Sequence, residues 1–113
     1  MTRYLISFDE GAMTFPDEEL PAVSVAAHAV VQEAMDAGVW VFGGGLYSHE
    51  QVNVVAPDGT IADGPSSKAY IGGLSVVDVS SREKALEWAA KIAVACRCAQ
   101  EVSEFMPDPA VGN

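Results

Sequence analysis

Two histidines, two closely spaced cysteines and sixteen carboxylates are the groups in this 113-residue chain that could do chemistry. His28 falls inside a helix-patterned stretch and shares a face with Ser24, Val31 and Met35. Imidazole titrates near neutrality, so at a cleft it could move a proton or bind a small anion once a carboxylate fixes its tautomer. The competing reading is a helix-boundary histidine satisfied by water or backbone. Asp78 shares a strand face with Leu74 and Val76, where an unpartnered carboxylate is costly to bury, which makes it a candidate partner for His28. It also lies two residues before Ser80 and could simply end the strand and favour the positive end of the next helix. Asp63, ahead of Gly64-Pro65, is the second candidate orienter, with turn stabilisation as its alternative. His49, next to Glu50 in a loop, reads as solvated.

Other chemistries lack their parts. Cys96 and Cys98, one residue apart, cannot easily bridge each other or complete a four-ligand zinc site, and read as reduced thiols of an intracellular protein. His28, His49 and the scattered acids show no metal-ligand spacing, so neither a metal nor a cofactor is assigned. No Gly-x-Ser-x-Gly elbow is present, and Gly43-Gly44-Gly45 lacks the Gly-Lys-Ser/Thr and helix start of a phosphate loop. Sixteen acidic against six basic residues give a formal net charge of −10, which repels a phosphate backbone and an anionic membrane alike. The early acids Asp9-Glu10 argue against a signal peptide, and no apolar run approaches the ~20 residues of a membrane span, so a cytoplasmic location is expected.

The elements that must position these groups follow from pattern. Half the residues are hydrophobic and 19% are charged, which suits one domain with a core. Arg3–Phe8 reads as a strand ended by Asp9-Glu10-Gly11. A helix follows from Asp17-Glu18-Glu19 to Gly38, with Leu20, Val23, Ala27, Val30, Val31, Ala34 and Met35 as its buried stripe. Val39–Leu46 reads as a central strand covered on both faces, and its three glycines offer either a bulge, the favoured reading, or close backbone approach to a ligand. Val52–Ala56 and Thr60–Asp63, joined by Pro57-Asp58-Gly59, form a hairpin. Gly64-Pro65-Ser66-Ser67-Lys68 breaks the ladder before a longer strand, Tyr70–Val79. Ser80-Ser81-Arg82-Glu83 matches a capping box opening a second helix that ends near Ala95, with Ala85, Leu86, Ala89, Ala90, Ile92 and Ala93 as its apolar face. A last strand lies within Ala99–Met106. Residues 1–106 thus form the domain and 107–113 a loose tail.

This order predicts an α+β, ferredoxin-like βαββαβ sandwich with an inserted β-hairpin and both helices on one face of the sheet. The other sheet face keeps large apolar side chains and is expected to meet a second copy, making a homodimer.

Three linked segments resemble the YCII-related family, in particular its DGPF branch. They are Asp58-Gly59-Thr60-Ile61-Ala62-Asp63-Gly64-Pro65, then Gly72-Gly73-Leu74-Ser75-Val76-Val77-Asp78-Val79, then Glu83-Lys84-Ala85-Leu86-Glu87-Trp88-Ala89-Ala90. Ala27-His28 on the first helix extends the match. Ser66 stands where the branch has Phe, and the Asp-Pro that YCII members carry after the second helix is absent near Ala93-Val94-Ala95. The resemblance implies a dimeric ferredoxin-like domain with a cleft between sheet and helix and a histidine/aspartate pair proposed as catalytic. The chain is then expected to bind a small organic molecule, with His28 as general acid/base and Asp78 or Asp63 orienting it, in proton-transfer chemistry of the isomerase, lyase or dehalogenase kind. Members of the branch often lie near extracytoplasmic-function sigma factors in bacterial genomes. That association, with the acidic charge, supports the rival expectation of a non-enzymatic module acting on a sigma factor or another protein.

Overall fold

The computed structural model describes residues 1–64 and 70–113. The turn expected over 64–68 therefore falls, Gly64 apart, outside the described residues. Six strands and two long helices follow in the order β1 (Thr2–Asp9), α1 (Leu20–Asp36), β2 (Trp40–Gly45), β3 (Asn53–Val55), β4 (Ile61–Asp63), β5 (Ile71–Val79), α2 (Arg82–Cys96) and β6 (Glu101–Glu104). Four of the strands make one antiparallel sheet in the order β2-β5-β1-β6, and β3 pairs with β4 in a separate ribbon. Each helix connects two strands that flank a third, so both helices lie on the same side. This is an α+β architecture compatible with the ferredoxin-like plan.

Alternation along β1 and β5 builds the core. Tyr4 and Ile6 face the helices together with Val77 and Val79, against Ala85, Ala89, Ile92 and Cys96 of α2. Small residues on α2 let it approach the sheet closely, and Ala27 and Val30 of α1 pack on the edge of the same cluster. Arg3, Leu5 and Ser7 alternate to the opposite face with Leu74, Val76 and Asp78, their cross-strand neighbours. No helix of the described residues covers that side.

Several local expectations shift, each for a physical reason. The acids Asp17-Glu18-Glu19 form a single 3-10 turn before α1 proper, and Pro21 sits in the first helical turn where no amide is needed. β2 is an edge strand and not a central one. Its Phe42 remains 64% exposed, which accounts for the apolar residues on both faces without a covering strand. The irregularity in β2 lies between Trp40 and Phe42, while the three glycines pair in regular register with Ser75, Leu74 and Gly73. Gly43 is required by packing: a Cβ there would lie 2.6 Å from the Trp40 ring and 2.8 Å from the Leu74 carbonyl oxygen. The hairpin turn is closed by Ala56 N–H donating to Thr60 and by Asp58 accepting from the Thr60 amide, with Gly59 at φ +86°.

Helix α2 begins one residue later than the capping box suggests. Ser81, in extended conformation, accepts from the Lys84 amide at 3.2 Å, and Ser80 is not the cap. Both serines are three residues from a residue able to complete a first turn, and the extended conformation of Ser81 decides between them. At the other end Arg97 adopts the left-handed conformation at φ 58°, and its guanidinium bonds Glu19 at 2.7 Å. After β6 the chain folds back on itself through a 3-10 turn at Pro109–Val111, where Asn113 donates to the Met106 carbonyl. Ser81→Ala is expected to cost about 1 kcal/mol of stability by losing the cap, and Ser80→Ala only a few tenths. Urea unfolding monitored by circular dichroism measures both.

Candidate active site

Between α1, β2 and β5 the layers part and leave a cavity of about 390 Å³. α1 supplies His28 and Met35, β2 supplies Trp40 and the glycine row, and Phe8, Ser75 and Gln100 complete the wall. At Gly43 the Trp40 ring fills the space that a Cβ would need, so the wall there is an aromatic face, while at Gly44 and Gly45 it is bare backbone. Hydrocarbon, two aromatic rings and sulfur dominate the lining, with an imidazole, a hydroxyl and an amide as the directional groups.

His28 stands exposed at the rim of this cavity. It makes no hydrogen bond or ion pair among the described residues. The expected carboxylate partners are elsewhere. Asp78 alternates away from Val77 and Val79, so its carboxylate emerges on the sheet face opposite the helices, 3.9 Å from Arg3 Nε across the β1–β5 ladder. Its Oδ1 is buried without a hydrogen-bond donor. Asp63 lies in the β3–β4 ribbon and accepts from Asn53 Nδ2 at 3.2 Å, its cross-strand neighbour. Neither acid lines the cavity, and the sheet itself separates Asp78 from His28. The structure thus brings neither Asp78 nor Asp63 to His28.

Cys96 reaches the cavity from α2, and Cys98 follows just beyond it. Both thiols are free, and burial pushes both above the usual thiol range, which favours their protonated form. Among the described residues no group of three His, Cys, Asp or Glu side chains could hold a metal ion. No helix of the described residues is long and apolar enough to cross a membrane.

His49, expected to be solvated, is the histidine that the fold gives a carboxylate. Its Nδ1 lies 2.5 Å from Glu10 Oε2, and its backbone N–H donates to Glu10 Oε1 at 3.0 Å. That backbone hydrogen bond is the first cause holding the Glu10 carboxyl below its ordinary range, with the imidazole adding to it. β1 and β2 both run antiparallel to β5, so the turns that follow them leave the sheet at the same end. Chain topology, not sequence proximity, brings residues 10 and 49 together, and a serine-capped 3-10 turn at His49–Gln51 presents the ring.

The fold and the cleft together define an α+β protein whose ligand-sized hollow lies between an antiparallel sheet and its helices. No protein-family model matches the chain, and no curated protein sequence matches it. A solved structure with the same fold is 5-chloro-2-hydroxyhydroquinone dehydrochlorinase from Burkholderia phenoliruptrix AC1100, in complex with 2,5-dihydroxybenzoquinone. The similarity has a TM-score of 0.55 at 11% identity, over 97% of this chain and 98% of that one.

The depressed Glu10 carboxyl fixes the sign of an acid effect. Its contribution to stability is fully present above the ordinary value of 4.5, the unfolded reference, and is lost as pH falls through the lower folded value. The difference in Tm between the native protein and Glu10→Gln is expected to shrink from neutral pH to about pH 3, which thermal melts across that range will measure.

Proposed function

We propose that this protein is a homodimer of the YCII-related, DGPF type that binds a small, flat organic molecule in the sheet–helix cleft, with His28 as the proton-transfer group. The observation that carries the proposal is the composition of the cleft. An imidazole stands at its rim while Phe8, Trp40 and the backbone of Gly44 and Gly45 line the interior. Aromatic faces and hydrocarbon favour a planar ring, and Ser75 and Gln100 can orient its oxygen substituents.

A neutral imidazole in this position takes a proton from an acidic C–H or O–H of the bound ring and returns it to a neighbouring atom. Since no carboxylate of the described residues lines the cleft, the ligand and water, in place of a protein acid, set the tautomer of His28. Returned to the ring, the proton completes an isomerisation; kept on His28 while a halide or other anion departs from the adjacent carbon with the bonding electrons, it completes a lyase or dehalogenase step. The dehydrochlorinase with the same fold, solved with a dihydroxybenzoquinone, supports hydroxylated or quinonoid rings as the ligand class to try first. A pocket with this lining speaks for a small molecule over a sigma factor or other protein partner. A cytoplasmic location belongs to the same proposal.

The dimer rests on area. The single chain exposes 7515 Å², against about 5,900 Å² for a compact monomer of this mass. The excess is about twice the ~800 Å² that one partner gives to a standard interface. Leu5, Leu74, Val76 and the exposed Phe42 lie on the open face that would supply it.

Titration calorimetry against hydroxylated and quinonoid rings, with 2,5-dihydroxybenzoquinone among them, tests the cleft. Saturable binding is expected, with His28→Gln weakening it about tenfold through loss of a hydrogen bond to the imidazole. Asp78→Asn is expected to leave affinity within about twofold, since the sheet separates its carboxylate from the cleft. Unaltered binding and turnover in His28→Gln would remove the histidine from the chemistry. Light scattering tests the assembly: a mass of two chains is expected, falling to one in Phe42→Glu.

A further inference from the structure

A second cavity, of about 480 Å³, lies between the turn after β2 and the start of β5, on the far side of the glycine row from His28. Leu46, Tyr47, Val52, Tyr70 and Ile71 surround His49 there. Two contacts hold the imidazole and a third holds its backbone. Glu10 engages Nδ1 with one oxygen and the His49 backbone N–H with the other, and the ring of Tyr70 stacks on it at 5.0 Å with 22° between planes. Glu10 is itself anchored, its backbone N–H donating to the Tyr70 carbonyl at 2.7 Å. Gly72 permits this approach, because a Cβ there would lie 3.0 Å from Glu10 Cα.

This arrangement determines the remaining nitrogen. An ionised carboxylate only accepts, so Nδ1 carries a proton, and in the neutral imidazole Nε2 keeps the lone pair. Nε2 has no partner among the described residues. An oriented imidazole with a free acceptor, beside two tyrosine rings and aliphatic side chains, matches a ligand with a flat apolar face and one hydrogen-bond donor. A neutral ligand suits the site better than an anion, because the Glu10 carboxylate stands directly behind the imidazole and the chain carries a net charge of −10.

We propose that the His49–Glu10 pair and the Tyr70 ring form a second ligand site, distinct from the sheet–helix cleft, that binds a neutral hydroxylated aromatic ring through a hydrogen bond from its hydroxyl to His49 Nε2. Glu10 acts here as the positioning residue, locking the ring and its tautomer. The site stands or falls independently of His28.

The test is a titration of the whole chain with 4-methylphenol at about pH 8.5, between the ordinary values of imidazole and phenol so that both are neutral, followed in the histidine ring nitrogen resonances. The expected result is a saturable shift of His49 Nε2 with the His28 ring unmoved. His49→Gln and Glu10→Gln are each expected to weaken this binding about tenfold, and His28→Gln to leave it unchanged. In the native protein 4-methylanisole, which has the same ring but no hydroxyl, is expected to bind at least about tenfold more weakly. That comparison needs no variant and so is immune to misfolding. Equal binding of the ether, a shift confined to His28, an unweakened His49→Gln, or no saturable response would each overturn the proposal. So would a His49 shift that follows protein concentration without any phenol, because a second copy would then occupy the cavity.

Discussion

Antiparallel pairing of β1 with β5 at the centre of the sheet decides which side chains reach the helices. Thr2 faces Val79 and the register runs unbroken to Phe8 opposite Gly73, so Tyr4, Ile6, Val77 and Val79 form one face and Arg3, Leu5, Val76 and Asp78 the other. Side chains alternate with a period of two, and a slip of a single residue would exchange the two sets. The core, the position of the cleft and the removal of Asp78 from it are consequences of that one register. Gly73 protects it at the crowded end, where a Cβ would lie 2.6 Å from the Phe8 ring.

The element order was legible because it depends on local pattern. Alternating β-branched residues mark β5, the three- and four-residue apolar steps mark α1, and Pro57-Asp58-Gly59 marks the turn between β3 and β4. What pattern does not carry is neighbourhood. Trp40 to Phe42 reads as a strand covered on both sides, yet β2 lies at the edge, because apolar alternation is equally compatible with a surface awaiting a partner. Likewise the cap of α2 passes from Ser80 to Ser81, a choice between two chemically identical residues made by backbone conformation.

The two histidines show the same limit at the level of chemistry. His28, conspicuous on a helix, lines the cleft without an acid, while His49, inconspicuous in a loop, acquires one from 39 residues away. Sequence spacing identifies His28 because a helix has a period. Nothing periodic connects Glu10 to His49, and only the common direction of β1 and β2 places their following turns side by side. A carboxylate that satisfies both a ring nitrogen and the backbone amide of the same residue constrains an imidazole more fully than a single contact does.

The molecule measures 44 × 43 × 18 Å, so it is a slab one helix and one sheet thick. In so shallow a body the interior field is never far from bulk water, and a charge formed in the cleft is screened until something drier arrives. The visiting ring must bring its own low-dielectric surroundings: its hydrocarbon completes the wall that the chain leaves open. Molecules with the right oxygens but too little carbon would sit in a wet hollow and gain little from its polar groups, so selectivity here is set as much by what the guest excludes as by what it touches.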